Sequence, residues 1–311
     1  MEAKKTPQQL LEQVEPREIF NIPDFKEKFI STQVLSCRKT VEDATQFEAR
    51  TAIYFRQAMT ADPKLLNCTK MSILSCYLDV ALEDIDLAPG QKSEAYLSSR
   101  GVNTGTKAAP IYKDFMKVVM TAWGELARYI RNGVIKRAAN PIVVYDGDAF
   151  GMGLNENGDM MIRYEAKFPR NEKAKIIACF VKILLPDGGY DFKVIDQLEI
   201  DRLAGYSKKN NRGTSANDLY TSNNGQIDPG FLMTKTIKHA LKGYSKVAFK
   251  AENVEHEDEA TQEQREFFPA KSDADPQAPS EELQNKPQGE CCAPDPGAPE
   301  TPAAKNDDDI F

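Results

Sequence analysis

Lys113, Lys117, Arg128 and Arg131 recur at a spacing that gathers four cations on one side of a helix. At 100° per residue they fall within an arc of about 60° that holds no acid, and the stripe is about 27 Å long at 1.5 Å per residue. Phe115, Val119, Ala122, Leu126 and Tyr129 fall on the other side. A cation-only stripe suits a nucleic-acid backbone, whose phosphates attract Lys and Arg whatever the base sequence. The plainer alternative is a solvated helix face, although such faces ordinarily mix in Glu and Asp. A second helix repeats the pattern, with Lys235, Lys238, His239, Lys242 and Lys246 on one side and Met233, Ile237, Leu241 and Tyr244 opposite. Lys208, Lys209 and Arg212, in the loop before it, add a further phosphate contact. Tyr96, Tyr112 and Tyr164 stand beside basic residues, where a ring can stack on a base; most other aromatics belong in a core.

Enzyme chemistry finds little support. Gly-Lys never occurs, so there is no phosphate-binding loop of the kind that drives ATP-dependent strand exchange. No Gly-x-Ser-x-Gly is present, and Gly151-Met152-Gly153 sits in a hairpin rather than opening a helix. The alternative is a metal-dependent nuclease or other DNA-processing enzyme, which needs converging carboxylates. Asp146 and Asp148 lead the candidates, with Asp159 and Glu165, but the three aspartates lie on turns, where Asp is the ordinary residue. A non-enzyme without cofactor is expected, with magnesium only as a DNA counterion.

Charge is unevenly placed. Of 40 basic and 47 acidic residues, residues 247–311 hold five Lys/Arg and seventeen Asp/Glu, leaving 35 basic and 30 acidic in residues 1–246. The mildly basic core behind an acidic tail is the asymmetry of a nucleic-acid binder. No apolar run reaches the length of about 18 residues that a membrane helix needs, and the N-terminus lacks the apolar core of a signal peptide. The six cysteines show no Cys-x-x-Cys spacing and only two histidines accompany them, so no zinc module is expected. The expected location is cytoplasmic.

The elements that position these residues follow from periodicity and punctuation. Residues 1–24, with Pro7, Pro16 and Pro23, read as a flexible arm. Helical spacing runs from Phe25 to Met59 and again from Ser72 to Leu82, and Gly101–Gly105 reads as a hairpin bend between Ala95-Tyr96-Leu97 and Ala109-Pro110-Ile111. A long helix is predicted over Lys113–Asn132, closed by Gly133. Strands follow at 141–145, 160–168, 176–185 and 190–194, a short helix at 195–204, the basic loop 207–212, and a last helix over 228–244. Beyond Lys250 the chain is rich in Glu, Pro, Ala and Gln and reads as disordered. The expectation is an α+β core over 25–246 and an acidic tail over 247–311.

Several ordered motifs resemble those of the RecT-type phage recombinases, which are ATP-independent single-strand annealing proteins. They are Asp62-Pro63-Lys64-Leu65-Leu66-Asn67-Cys68, Met71-Ser72-Ile73-Leu74, Asp86-Leu87-Ala88-Pro89-Gly90 and Ala95-Tyr96-Leu97. Then come Tyr112-Lys113, Val144–Phe150, Ala178–Leu185 with Asp187-Gly188-Gly189, and Lys235-Thr236. The likeness spans about residues 62–246. It departs at Asp114, which stands where the family has glycine, and at Gln226–Asp228, where an aromatic is missing. The resemblance implies a small antiparallel sheet packed with helices, assembled into a homo-oligomeric ring or filament. It implies single-stranded DNA held in a basic groove, bases exposed for a complementary strand and annealed duplex as product, for homologous recombination beside a partner exonuclease in a bacterial host cell. Lys235, in the Lys-Thr pair, becomes the foremost candidate contact.

Asp307, Asp308, Asp309, Ile310 and Phe311 end the chain and resemble the acidic tip of bacterial single-stranded DNA-binding proteins, without the usual proline before the last phenylalanine. An apolar side chain and terminal carboxylate suit a basic-rimmed pocket. The expected partners are host proteins that bind such tips; an acidic tail that folds back onto the basic groove is the alternative.

Overall fold

Proline opens the fold rather than loosening it. Pro7, Pro16 and Pro23 each begin a helical segment: α1 (Pro7–Glu12), a 3-10 turn (Pro16–Asn21) and α2 (Pro23–Cys37). The first helical position has no backbone hydrogen bond for proline to lose. The computed structural model describes residues 6–107, 109–171, 174–210, 215–244, 247, 250–251 and 253–256. The arm expected over 1–24 is corrected over its described part, because Leu11, Ile19 and Phe20 are buried in the core.

Helices α3 (Val41–Ala61) and α4 (Lys70–Glu83) complete the first layer. The hydroxyls of Thr40 and Thr69 accept the N–H of Asp43 and Ser72 and cap their N-termini. The centre is an aromatic box. Tyr77 lies 4.6 Å from Phe29, 5.1 Å from Phe20 and 5.8 Å from Phe55, centroid to centroid, and its hydroxyl donates to the buried Glu48.

Against these helices lies a sheet of β1 (Ala95–Asn103), β2 (Tyr112–Met120) and a short strand from the end of the described chain, Val254–His256. β1 and β2 are antiparallel, and Val254–His256 joins β2 in parallel. Ala95, Met116, Val118 and Met120 face the helices and are buried. The helix expected over 113–132 is therefore half strand: β2 ends at Met120, and α5 runs only from Ala122 to Arg131, capped by Thr121. A Cβ on Gly124 would meet the Glu94 carbonyl oxygen at 1.9 Å, so glycine permits the approach of α5 to the start of β1.

The remaining strands are β3 (Arg137–Ala138), β4 (Ile142–Tyr145), β5 (Ala149–Leu154), β6 (Met160–Glu165), β7 (Ile176–Leu184) and β8 (Tyr190–Asp196). β7 is central and antiparallel to β3, β4 and β8. Helices α6 (Gln197–Asn210) and α7 (Pro229–Leu241) supply Ile200, Leu203, Phe231 and Leu232 to the same core cluster as Cys179 and Ile195. The β5–β6 hairpin covers the other side through Phe150 and Tyr164, which pack on Phe180. Val254–His256 is β9. The class is α+β with small, mainly antiparallel sheets, as the sequence predicts. No described helix is long and apolar enough to cross a membrane.

Candidate nucleic-acid interface

Side chains alternate across a strand, and residues directly opposite on neighbouring strands share a face. In β1–β2 the pairs Tyr96↔Val119, Ser98↔Lys117, Arg100↔Phe115 and Val102↔Lys113 all lie on the face turned away from the helices. Lys113 and Lys117 are thus brought together, about 13 Å apart along the strand, with Tyr96 on the same face. Tyr112 has the opposite parity but stands at the open end of the ribbon and is exposed. Arg100, which the helical reading omits, joins this face. Alternation in the segment opposite β2 is the signal that finds it.

The other cations of the predicted helical stripe go elsewhere. Arg128 is buried, and its Nη1 lies 3.1 Å from Glu83 Oε2, whose side chain is buried as well. Burial draws the Arg128 guanidinium below its ordinary value, and Glu83 opposes that shift. Arg131 makes a forked pair with Glu94 at 2.9–3.0 Å. The acid-free arc of Lys113, Lys117, Arg128 and Arg131 does not exist, because strand and helix geometry point the first two and the last two in unrelated directions.

On α7 the pattern is also corrected. Lys235 is fully buried, with its Nζ 4.9 Å from the centroid of Phe231. Lys238 is half-buried, Lys242 is exposed, and His239 Nδ1 lies 3.3 Å from Glu199. Lys208 and Lys209 are exposed on the last turn of α6 rather than in a loop, and Lys209 stands 5.8 Å from the ring of the exposed Tyr206. Arg212, Lys246 and the tip Asp307–Phe311 lie outside the described residues.

Asp148 is a structural hub. Its carboxylate accepts the N–H of Tyr145 at 3.0 Å and of Lys167 at 2.9 Å, and the Tyr164 hydroxyl at 3.2 Å. Arg170 Nη2 stands 3.4 Å away. Burial pushes this carboxyl up, but these donors outweigh burial and leave it below the ordinary carboxylate range. Asp146 is exposed beside it. Among the described residues, no three His, Cys, Asp or Glu side chains are grouped to hold a metal. The described cysteines 37, 68, 76 and 179 form no disulfide, and burial pushes Cys179 up to about 12.

Cations and aromatic rings on one sheet face, with Arg100 and Lys113 exposed and Lys117 and Tyr96 half-buried, make a surface of the class that holds nucleic-acid backbones. Residues 52–271 match the model of the RecT family, and the chain belongs to that family. It is accordingly a DNA-binding, single-strand annealing protein of recombination. RecT family proteins bind single-stranded DNA, oligomerise and anneal DNA without catalysis. Comparison with curated proteins finds no match.

Proposed function

We propose that this chain pairs complementary DNA strands without nucleotide hydrolysis, holding one strand along the outer face of β1–β2. The supporting observation is that Arg100, Lys113, Lys117 and Tyr96 share that face and Tyr112 stands at its open end. Phosphates lie on the cations, rings stack on bases, and the uncovered base edges meet the second strand. The cations reduce the repulsion between two polyanions, and base pairing supplies both specificity and free energy. Lys208, Lys209, Lys238 and Lys242 add cations on α6 and α7, and successive copies in a ring or filament would join such patches into a groove. An exonuclease is the partner that would supply single strands.

An annealing assay with labelled complementary strands, without ATP and with or without magnesium, tests this. Wild-type protein should accelerate annealing and leave strand length unchanged. Magnesium-dependent shortening would instead support the nuclease reading. Combined Arg100→Ala, Lys113→Ala and Lys117→Ala should weaken binding similarly across base sequences. It should also flatten the slope of log affinity against log salt by about 0.7 for each phosphate that the variant no longer neutralises. A folded triple variant with unchanged affinity and slope would remove the outer face from the mechanism.

A further inference from the structure

Glu255 occupies the outer face that the proposed function assigns to phosphate. Paired with Val119 in the β2–β9 register, it shares the face of Lys117 and Arg100. One carboxylate oxygen lies 2.9 Å from Arg100 Nη1 and the other 3.5 Å from Lys117 Nζ. Asn253 Oδ1 stands 3.4 Å from the same ammonium. The Lys117 side chain is 19% exposed, so the pair is partly shielded from water. Two cations from neighbouring strands converge on two oxygens of one anion. That is the donor pattern a nucleic-acid phosphate uses.

The segment carrying Glu255 is held firmly at one end and lightly at the other. Glu83 accepts the N–H groups of Lys250 and Ala251, and Ala251 and Val254 are buried in the first core. The ladder itself is three residues of parallel edge strand. Anchoring on the core side fixes the segment in place, while the carboxylate on the outer side stays partly open to water, 30% exposed. The side chain can therefore leave its cations while the backbone stays docked. The chain then continues into residues 257–311, with four Lys/Arg against fifteen Asp/Glu.

We infer that Glu255 is a built-in competitor of phosphate for Arg100 and Lys117, and that it sets the affinity of the outer face for single-stranded DNA. This rests on the reading that the outer face binds DNA. When a strand arrives, its phosphate takes both cations and the carboxylate turns to solvent. Binding then exchanges one internal anion for another, so the attraction of these cations for phosphate is partly offset by the loss of their ion pairs with Glu255. The consequence is a DNA grip that is weaker than its cations allow. Such a moderated grip suits a protein that must give up the duplex it makes.

The test is binding of a fluorescent oligothymidine across a salt series to the full chain and four variants. Glu255→Gln keeps the side-chain shape and removes the charge. It should bind about three- to tenfold more tightly, the range set by losing exposed ion pairs. Its salt slope should stay close to that of wild type, because the number of phosphates neutralised does not change. Glu156→Gln, an exposed acid on the β5–β6 turn, removes the same charge elsewhere and should change little. In an Arg100→Gln/Lys117→Gln background, adding Glu255→Gln should have no effect. Equal tightening by Glu156→Gln, or tightening that survives loss of both cations, would reduce the effect to net charge and overturn the inference. No change on Glu255→Gln, with binding that still depends on Arg100 and Lys117, overturns the inference alone. Binding indifferent to both cations overturns the outer-face reading and this inference with it. Thermal melts of each variant ensure that folded proteins are compared.

Discussion

Arg128→Ala separates two roles that the sequence cannot tell apart. As a phosphate ligand, Arg128 would contribute to affinity and nothing to the fold. Paired with Glu83 in the interior, it ties α5 to α4. Removing one partner of a buried ion pair leaves an uncompensated charge, which costs about 3–5 kcal/mol. Glu83 keeps the N–H of Ala251 at 2.9 Å and that of Lys250, so the low end, about 3 kcal/mol, applies. For a domain of this size that lowers the melting temperature by about 6–12 °C. Replacing both partners, as Glu83→Gln with Arg128→Met, removes the orphan charge and should recover much of the loss. Differential scanning fluorimetry gives the melting temperatures, and oligonucleotide binding well below them gives affinity and salt slope. The reasoning is refuted if Arg128→Ala melts within about 2 °C of wild type while its salt slope flattens by about 0.7. Arg128 would then be a DNA contact.

Lys235→Ala should cost about 2–4 kcal/mol through the cavity it leaves, and Lys235→Met distinctly less, because methionine refills the space beside Phe231; an unchanged melting temperature for the alanine variant would return Lys235 to the surface role the sequence suggests. Asp148→Asn should cost about 1.5–3 kcal/mol at neutral pH, since it replaces a charged acceptor of four donors. The Asp148 pKa is depressed on folding, so its contribution is present above the unfolded value of about 3.9 and lost as pH falls through the lower folded value; the gap between wild type and variant, read from urea melts, should close as pH is lowered past that point, and a constant gap contradicts this account. Removing Ile310 and Phe311 should leave annealing by purified protein unchanged and abolish pull-down of host proteins that bind acidic tips; retained pull-down rejects the docking proposal.

The sequence shows much of the architecture and misplaces part of the site, for identifiable reasons. α4 and the strands β4, β7 and β8 are legible because their apolar runs end in strong turn signals such as Pro186-Asp187-Gly188-Gly189. The segment 112–131 is not, because Phe115, Met116, Val118, Val119 and Met120 satisfy a period of two as well as one of 3.6. The deciding signals are small: the β-branched pair Val118-Val119, and Thr121, whose hydroxyl caps Gly124 N–H. As one helix, 113–132 would carry an arc of cations that no surface of the fold presents. Lys113 and Lys117 still share one face because spacings of four serve both periods. For α7 the periodicity is right, but periodicity cannot say what packs against the polar side. Phe231, Leu232, Thr236, Ile237 and Leu241 are buried around much of the helix, and Lys235 is buried with them.

The aromatic box also bears on how far shared ancestry and the ability to fold coincide. The match to the RecT family begins at residue 52, within α3. Phe20, Phe29 and Glu48, which touch Tyr77, and Phe47, which packs on Phe29, all precede that point. A fragment trimmed to residues 52–271 would take Phe20 and Phe29 from Tyr77, and Phe20 from Phe55, and open the centre of the first layer to water. The matched span is thus smaller than the packed unit it belongs to. The helices before residue 52 supply Phe20, Phe29 and Phe47 to the core on which the matched residues pack.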